Sequence, residues 1–556
     1  MNRSFRLFAA WLILSLILSA CGSSGALLSK QVKIQLVYGS EKQEWLDPLV
    51  QSFNASRTKT EDGAVIVVEA VPMGSIETMD AILAGSLQPT VWSPASSLYL
   101  PVAESEWRKN HAEELVAAPP KDLVLSPVVI AMWKPMAEVL GWPDQPIGWA
   151  DIAALATSPE GWAAFGYPEW GQFKLGHTHP EFSNSGLMAV VAQAYAGANK
   201  QRGLTLQDLS DPKVQQFMAD VQLSIIHYGT STGFFGTRMF ERGPSYLSAA
   251  VLYENLIVAQ ETKRLNGQSQ QLPVIAIYPK EGTFWSNHPY VILNAPWVTA
   301  QQRQAAEVFQ NFLLAEPQQR SAMQLGFRPA NPNLALGAPL DMDHGVDIRQ
   351  PKTVLEVPSA EVVLGSQALW RQTKKPVDLV VVMDTSGSMA GAKISAARAS
   401  LGQFVDLLDD RDRLQVILFS SKVTELTPLS ELGPKRDDVK RRISGIVEGG
   451  NTSLYDAVGL AYQQLQRDGD PRHIRAVVVL SDGQDTSSNL GLDQVTEQIS
   501  ALGEDPGNAI KLFTIGYGKD VDEDVLSSLA EITGGKYYQS SPDNIQKIYA
   551  EIATFF

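Results

Sequence analysis

The stretch VDLVVVMDTSGSM, Val377–Met389, decides the fold of the C-terminal third of this 556-residue chain. Its first seven residues are a nearly unbroken apolar, β-branched run, the pattern of a parallel strand buried on both faces. The run stops at Asp384, followed by Ser386 and Ser388, polar residues at alternating positions around Gly387. An extended backbone points alternate side chains the same way, which predicts one polar cluster at a strand's carboxyl end. Gly387 lets the loop turn tightly.

The surrounding sequence repeats the pattern. A helix is expected after the loop, with Ile394, Ala397, Leu401, Phe404 and Leu408 on one face. RLQVILFS (413–420), RAVVVLSDG (475–483), IKLFTIGYG (510–518) and KYYQS (536–540) read as further strands, with a short edge strand near 424–429. Helices are expected around 435–448, 453–466 and 543–556. The alternation predicts a doubly wound (Rossmann-like) α/β domain over 377–556, with ligands at the carboxyl ends of its strands. Two more polar residues fall at such places: Thr452 in GGNTSLYDA, at a helix start, and Asp482 in SDG, at a strand end.

Asp384, Ser386, Ser388, Thr452 and Asp482 offer only oxygen, two carboxylates and three hydroxyls. A hard cation suits such a set, and zinc or copper does not. Ca²⁺ prefers six to eight oxygens, whereas Mg²⁺ takes an octahedron at about 2.0–2.1 Å and keeps waters, so Mg²⁺ is expected, with Mn²⁺ or Ca²⁺ as alternatives. Two carboxylates balance the ion, and neutral hydroxyls leave it open to an Asp or Glu carboxylate from a protein partner. The competing reading is a helix-capping turn, since Asp and Ser also satisfy helix-start amides.

These residues resemble the metal-dependent adhesion site of the von Willebrand factor A family. The resemblance implies that Ser386 and Ser388 bind the ion directly, while Asp384, Thr452 and Asp482 act directly or through water. It also implies that the last helix could shift when a ligand binds.

The region before it mixes strands and helices. VKIQLVYG (32–39), AVIVVEAVP (64–72) and PTVWSP (89–94) read as strands, and Trp45, Leu46, Leu49, Val50 and Phe53 mark a helix face. The alternation predicts a largely parallel sheet covered on both sides. Gly39-Ser40, the VWSPASS stretch (91–97), FSNSG (182–186) and LGFRPANP (325–332) resemble bacterial two-lobed periplasmic solute-binding proteins. A solute cleft is expected near Ser40, Ser93, Ser183 and Ser185, where helix N-termini attract a small oxyanion; ordinary capping is the alternative. Trp92, Tyr253 and Trp285 are further candidates for the cleft wall. His177 and His179, with Glu181, form a candidate metal pair with no cysteine and no third histidine nearby, and Arg328 is exposed or paired.

The first residues argue for export. Arg3 and Arg6 precede the apolar run Leu7–Leu18, a signal-peptide core too short for a comfortable membrane span. Leu-Ser-Ala-Cys at 18–21 resembles a lipobox, and Cys21 is the single cysteine, so no internal disulfide can form. The expected layout is a lipoprotein signal at 1–20, lipidated Cys21 and a flexible tether to residue 30, a solute-binding-like domain over 31–372, a linker at 373–376 and the A-like domain. A formal charge of −15 argues against nucleic-acid partners. No nucleophile–base pair, P-loop or H-E-x-x-H motif is present, so no enzyme activity is expected. The sequence thus predicts a lipid-anchored envelope protein, on the periplasmic or extracellular side, that captures a protein carboxylate through its A domain. The alternative is a solute receptor of an ABC-type transport system.

Overall fold

The computed structural model describes residues 30–229, 231–503, 510–518, 521–533 and 535–556. The expected signal and Cys21 lie outside the described residues.

The N-terminal region folds as two lobes, each on its own sheet. Its main strands are β1 (Gln31–Tyr38), β2 (Val65–Pro72), β3 (Val91–Ser93), β4 (Val124–Trp133), β5 (Leu175–Thr178), β6 (Ile225–Gly229), β7 (Ala249–Tyr253), β8 (Val274–Ile277) and β9 (Pro289–Ile292). In the first lobe β1 runs parallel to β2 and β3, and β9 closes antiparallel on β3. Ile34 and Leu36 of β1 pack with Trp45, Leu46 and Phe53 of helix α1 (Gln43–Ser56) and with Phe309 from the helix Ala300–Leu313. Burial of that apolar face, at roughly 25 cal/mol per Å², stabilises the lobe without disulfides.

The second lobe is mixed, where the alternation of strands and helices predicts a largely parallel sheet. Strand β4 runs antiparallel to β7 and β8, while β5 is parallel to β6 and β7. The chain crosses between sheets after Asp122 and again between Ser286 and Pro289, so β4 enters against its neighbours. Alternation along the sequence carries no record of such crossings.

Four helices begin beside the gap between lobes or close the domain: α2 (Ser75–Leu83), α3 (Asn184–Gly197), α4 (Thr232–Arg242) and α5 (Ala360–Thr373). Thr373 completes α5, so the irregular connection is Lys374–Pro376, one residue shorter than the expected linker.

The C-terminal domain is a six-stranded sheet: β10 (Val377–Asp384), β11 (Arg413–Phe419), β12 (Val423–Glu431), β13 (Ile474–Ser481), β14 (Lys511–Tyr517) and β15 (Tyr537–Ser540). Their order is β12-β11-β10-β13-β14-β15, and all are parallel except the edge strand β12. The β10 side chains divide between two cores. Leu379, Val381 and Met383 join Ala397, Leu401 and Phe404 of helix α6 (Ala392–Leu407), whereas Val380 and Val382 join Ala457 and Val458 of helix α7 (Leu454–Asp468). Burial on both faces is why β10 needs no polar alternation.

The last helix, α8 (Ile545–Ala553), is shorter than the predicted 543–556. Phe555 leaves it, and its carbonyl accepts the Tyr228 amide of β6 at 3.2 Å.

Candidate metal centre and solute cleft

Strands β10 and β13 lie side by side in the middle of the sheet, and both release polar loops at their carboxyl ends. Asp384 is fully buried. Its Oδ1 accepts the Ser386 amide at 2.8 Å and its Oδ2 accepts Ser481 Oγ at 2.9 Å, which fixes the carboxylate between the two strand ends. After Ser386 the chain enters a single 3₁₀ turn, Gly387–Met389. That turn, and not the extended run predicted from alternation, carries Ser388 to Asp482, whose Oδ1 accepts Ser388 Oγ at 2.6 Å. Ser386 Oγ and Ser388 Oγ lie 2.9 Å apart. Four of the five predicted residues therefore form one connected set.

Thr452 arrives by a different route. Its loop docks on the first through two backbone bonds, Gly387 amide to Gly450 carbonyl at 3.0 Å and Gly449 amide to Thr385 carbonyl at 2.7 Å. Gly450 has φ +96°, a left-handed conformation that favours glycine. The Thr452 carbonyl then accepts the amides of Thr486 and Ser487 at 2.8 and 3.1 Å, tying the Asp482 loop to the same frame.

Simple capping does not account for the cluster. Helix α6 starts only at Ala392, with Gly391 in the cap position and no side-chain cap bond. Burial raises the Asp384 carboxyl above its ordinary range and the Asp482 charge pushes the same way, against the hydrogen bonds from Ser386 and Ser481. A cation between the two carboxylates would relieve that strain, and the oxygen-only set fits a hard one. The sequence reading missed Lys393, whose Nζ sits 2.6 Å from Asp482 Oδ2. A lysine nine positions after Asp384, at a helix start, was the available signal.

The second site is a cleft of about 250 Å³ between the lobes. The starts of α2, α3 and α4 and the turn Ser40–Lys42 reach it through Ser75, Asn184, Thr232 and Ser40. Of the four predicted serines, Ser40 and Ser183 line it. Ser185 stands behind the wall, bonded to Thr178 Oγ1 at 2.8 Å and Thr232 Oγ1 at 2.7 Å. Ser93 is likewise withdrawn, fully buried at the end of β3. Alternation along a strand or helix start cannot tell the cleft side from the packed side.

Tyr253 lines the cleft, but Trp92 is buried in the core and Trp285 lies 5.2 Å beneath Arg328. Glu41 is the charged residue of the lining, and the sequence reading passed over it. Burial would raise its carboxyl, but Lys42 and His288 hold it well below the usual range. Lys42 Nζ, fully buried, lies 3.1 Å from Glu41 Oε1 and 3.1 Å from His288 Nδ1. Two charged residues directly after a buried strand were the clue.

The remaining candidates are structural. His177 and His179 are buried, His177 Nδ1 lies 2.8 Å from the Thr178 carbonyl oxygen, and among the described residues no third metal-ligating side chain joins them. Arg328 is paired, holding Glu254 through Nε at 2.7 Å and Nη2 at 2.5 Å.

A two-lobed region with a cleft is thus joined to a doubly wound domain with polar loops at its strand ends. Residues 34–328, more than half of the chain, match the bacterial extracellular solute-binding protein family, and the chain belongs to it. Residues 378–551 match the von Willebrand factor type A domain, a module of protein interactions. Inter-alpha-trypsin inhibitor heavy chain H4 of Homo sapiens is 29% identical over 194 residues, 33% of this chain and 20% of that protein. The chain thus spans about a fifth of the length of the first curated relatives it matches. An uncharacterized protein of Mycobacterium tuberculosis is 22% identical over 541 residues, covering 88% of this chain and 72% of its own. Among solved structures, a periplasmic thiamin binding protein is 12% identical with a TM-score of 0.43, over 62% of this chain and 96% of that one. Among the described residues no helix is long and apolar enough to cross a membrane.

Proposed function

We propose that this protein is an envelope-anchored, non-enzymatic binding protein whose A domain captures a protein partner through a divalent cation held at the ends of β10 and β13. The observation that carries the reading is the connected set of Asp384, Ser386, Ser388 and Asp482, joined by bonds of 2.6 to 2.9 Å within and beside the two central strands. Ser386 and Ser388 would hold the ion directly, with Asp384, Thr452 and Asp482 bound to it or to its waters. Mg²⁺ suits this set best; it would supply a Lewis-acidic position open to a carboxylate oxygen. The protein's part is positional. Buried Asp384 anchors the loop, the 3₁₀ turn presents Ser388, and the Gly387–Gly450 bond keeps the Thr452 loop in register.

Export is supported by membership of an extracellular family, and lipidation at Cys21 is our reading of the leader sequence alone. Two acyl chains give durable anchoring where one is marginal. Substitution Cys21→Ala should move the protein from the membrane to the soluble fraction, and unchanged fractionation would refute the anchor.

Calorimetric titration of Mg²⁺ into the full chain tests the metal reading. The wild type should bind one ion, and Ser386→Ala/Asp482→Ala should lose that binding while keeping its circular dichroism spectrum. Undiminished binding by the double variant contradicts it.

A second reading, reception of a small solute, is favoured by the cleft itself, where Ser40, Ser183, Asn184 and Thr232 converge with Tyr253. Thermal-shift screening against oxyanions, sugars and peptides addresses it. A melting temperature that keeps rising with ligand concentration marks true binding.

A further inference from the structure

Lys393 is out of place on helix-stability grounds. It is the second residue of α6, where the positive end of the helix dipole disfavours a cation. Yet its position is built. Nζ lies 2.6 Å from Asp482 Oδ2, while Oδ1 of the same carboxylate accepts Ser388. The Lys393 carbonyl accepts the Tyr517 hydroxyl at 3.0 Å, which pins the backbone beside β14. Gly518, at φ +123°, lies so close that a Cβ there would stand 3.2 Å from Nζ. The Asp482 side chain is fully buried and that of Lys393 is 27% exposed, so the ammonium sits at the mouth of the site.

We infer that Lys393 is a resident cation that sets the ligand preference of the metal centre, weakening its hold on the ion and strengthening its hold on an anionic, carboxylate-bearing ligand. The inference rests on the metal reading above. Charge bookkeeping gives its sense. The carboxylates of Asp384 and Asp482 with the ammonium of Lys393 carry one net negative charge. A divalent ion turns that into one net positive charge, which a visiting carboxylate neutralises. With a neutral side chain at 393, the loaded site would already be neutral, and a carboxylate would leave it negative. A neutral oxygen ligand gains far less from Lys393 than an anionic one, so the residue also favours carboxylates over amides and alcohols. At the mouth of a partly desolvated site, one unit charge several ångströms away changes affinities by roughly tenfold.

The test uses the full chain with Mn²⁺ and acetate as probes, comparing wild type with Lys393→Met, Lys393→Gln and Lys393→Arg. Mn²⁺ affinity is read from the free-ion electron paramagnetic resonance signal, and acetate affinity from loss of Mn²⁺-bound water in proton relaxation. Both neutral variants should bind Mn²⁺ about tenfold more tightly and acetate about tenfold more weakly, while Lys393→Arg stays near wild type. Two neutral variants guard against one failing to fold. Neutral variants with wild-type values for both probes, or with weakened Mn²⁺ binding, overturn the role of Lys393 and leave the metal centre standing. No Mn²⁺ binding by the wild type overturns both.

Discussion

Ser388 and Asp482, 94 residues apart in the chain, meet through a hydrogen bond of 2.6 Å from Ser388 Oγ to Asp482 Oδ1. The bond joins the loops after the two central parallel strands and keeps two possible ion ligands in one place. Ser388 is exposed, whereas the Asp482 carboxylate that it meets is fully buried.

Substitution Ser388→Ala should therefore act both on the site and on the stability of the ion-free fold. It removes one hydroxyl ligand from the ion and one donor from a buried carboxylate, and a bond to a charged group is worth about 1.5–3 kcal/mol. Mg²⁺ affinity should fall by roughly tenfold or more, since 1.4 kcal/mol is a factor of ten. In the absence of divalent ions the bond to the buried Asp482 carboxylate is lost as well, so the thermal midpoint should fall by several degrees, at about 2–4 °C per kcal/mol. Calorimetry and a melting curve check the two halves.

The opposite end of β10 supplies the converse case. Asp378 is fully buried and accepts Arg413 Nε at 2.7 Å, His473 Nδ1 at 2.8 Å and the Asp470 amide at 2.7 Å. Asp378→Ala strands these donors and should destabilise the domain by about 3 kcal/mol. Mg²⁺ affinity of the folded protein should stay unchanged, because Asp384 lies at the strand's other end. Denaturant unfolding together with ion titration separates the effects.

Buried histidines predict acid sensitivity. Burial pushes His177 down to about 4, and burial with the nearby Lys511 charge pushes His227 down to about 3. Both are neutral when folded and take up a proton more readily when unfolded. Their contribution is fully present above the unfolded value near 6.5 and is lost as pH falls from there towards the folded values. Stability should decline between pH 6.5 and about 4, by up to ~1.4 kcal/mol per pH unit for each group. Urea midpoints across that range check it, and His177→Gln should flatten the slope.

Much of the C-terminal domain was legible because its physics is local. The run Val377–Met383 can be apolar at every position only if both faces are covered, and Leu379 and Val380 do enter different cores. Asp384, Ser386, Ser388 and Asp482 were legible as polar residues at strand ends. The turn that brings Ser388 round was not, since spacing records side-chain direction only while the backbone stays extended. The N-terminal region was less readable. Crossings between lobes reverse β4, and whether Ser183 or Ser185 faces the cleft depends on partners such as Thr232, 47 residues from Ser185. Lys393 and Glu41 were overlooked because a charged residue at a helix start ordinarily reads as surface.

Diffraction from crystals of the full chain grown in Mn²⁺ tests the central claim most directly. An anomalous peak within coordination distance of Ser386 Oγ and Ser388 Oγ, on the side of Asp384 and Asp482, is the expected result. Well-ordered loops at the ends of β10 and β13 with no peak among those oxygens, at Mn²⁺ concentrations far above those of other ions, would contradict it.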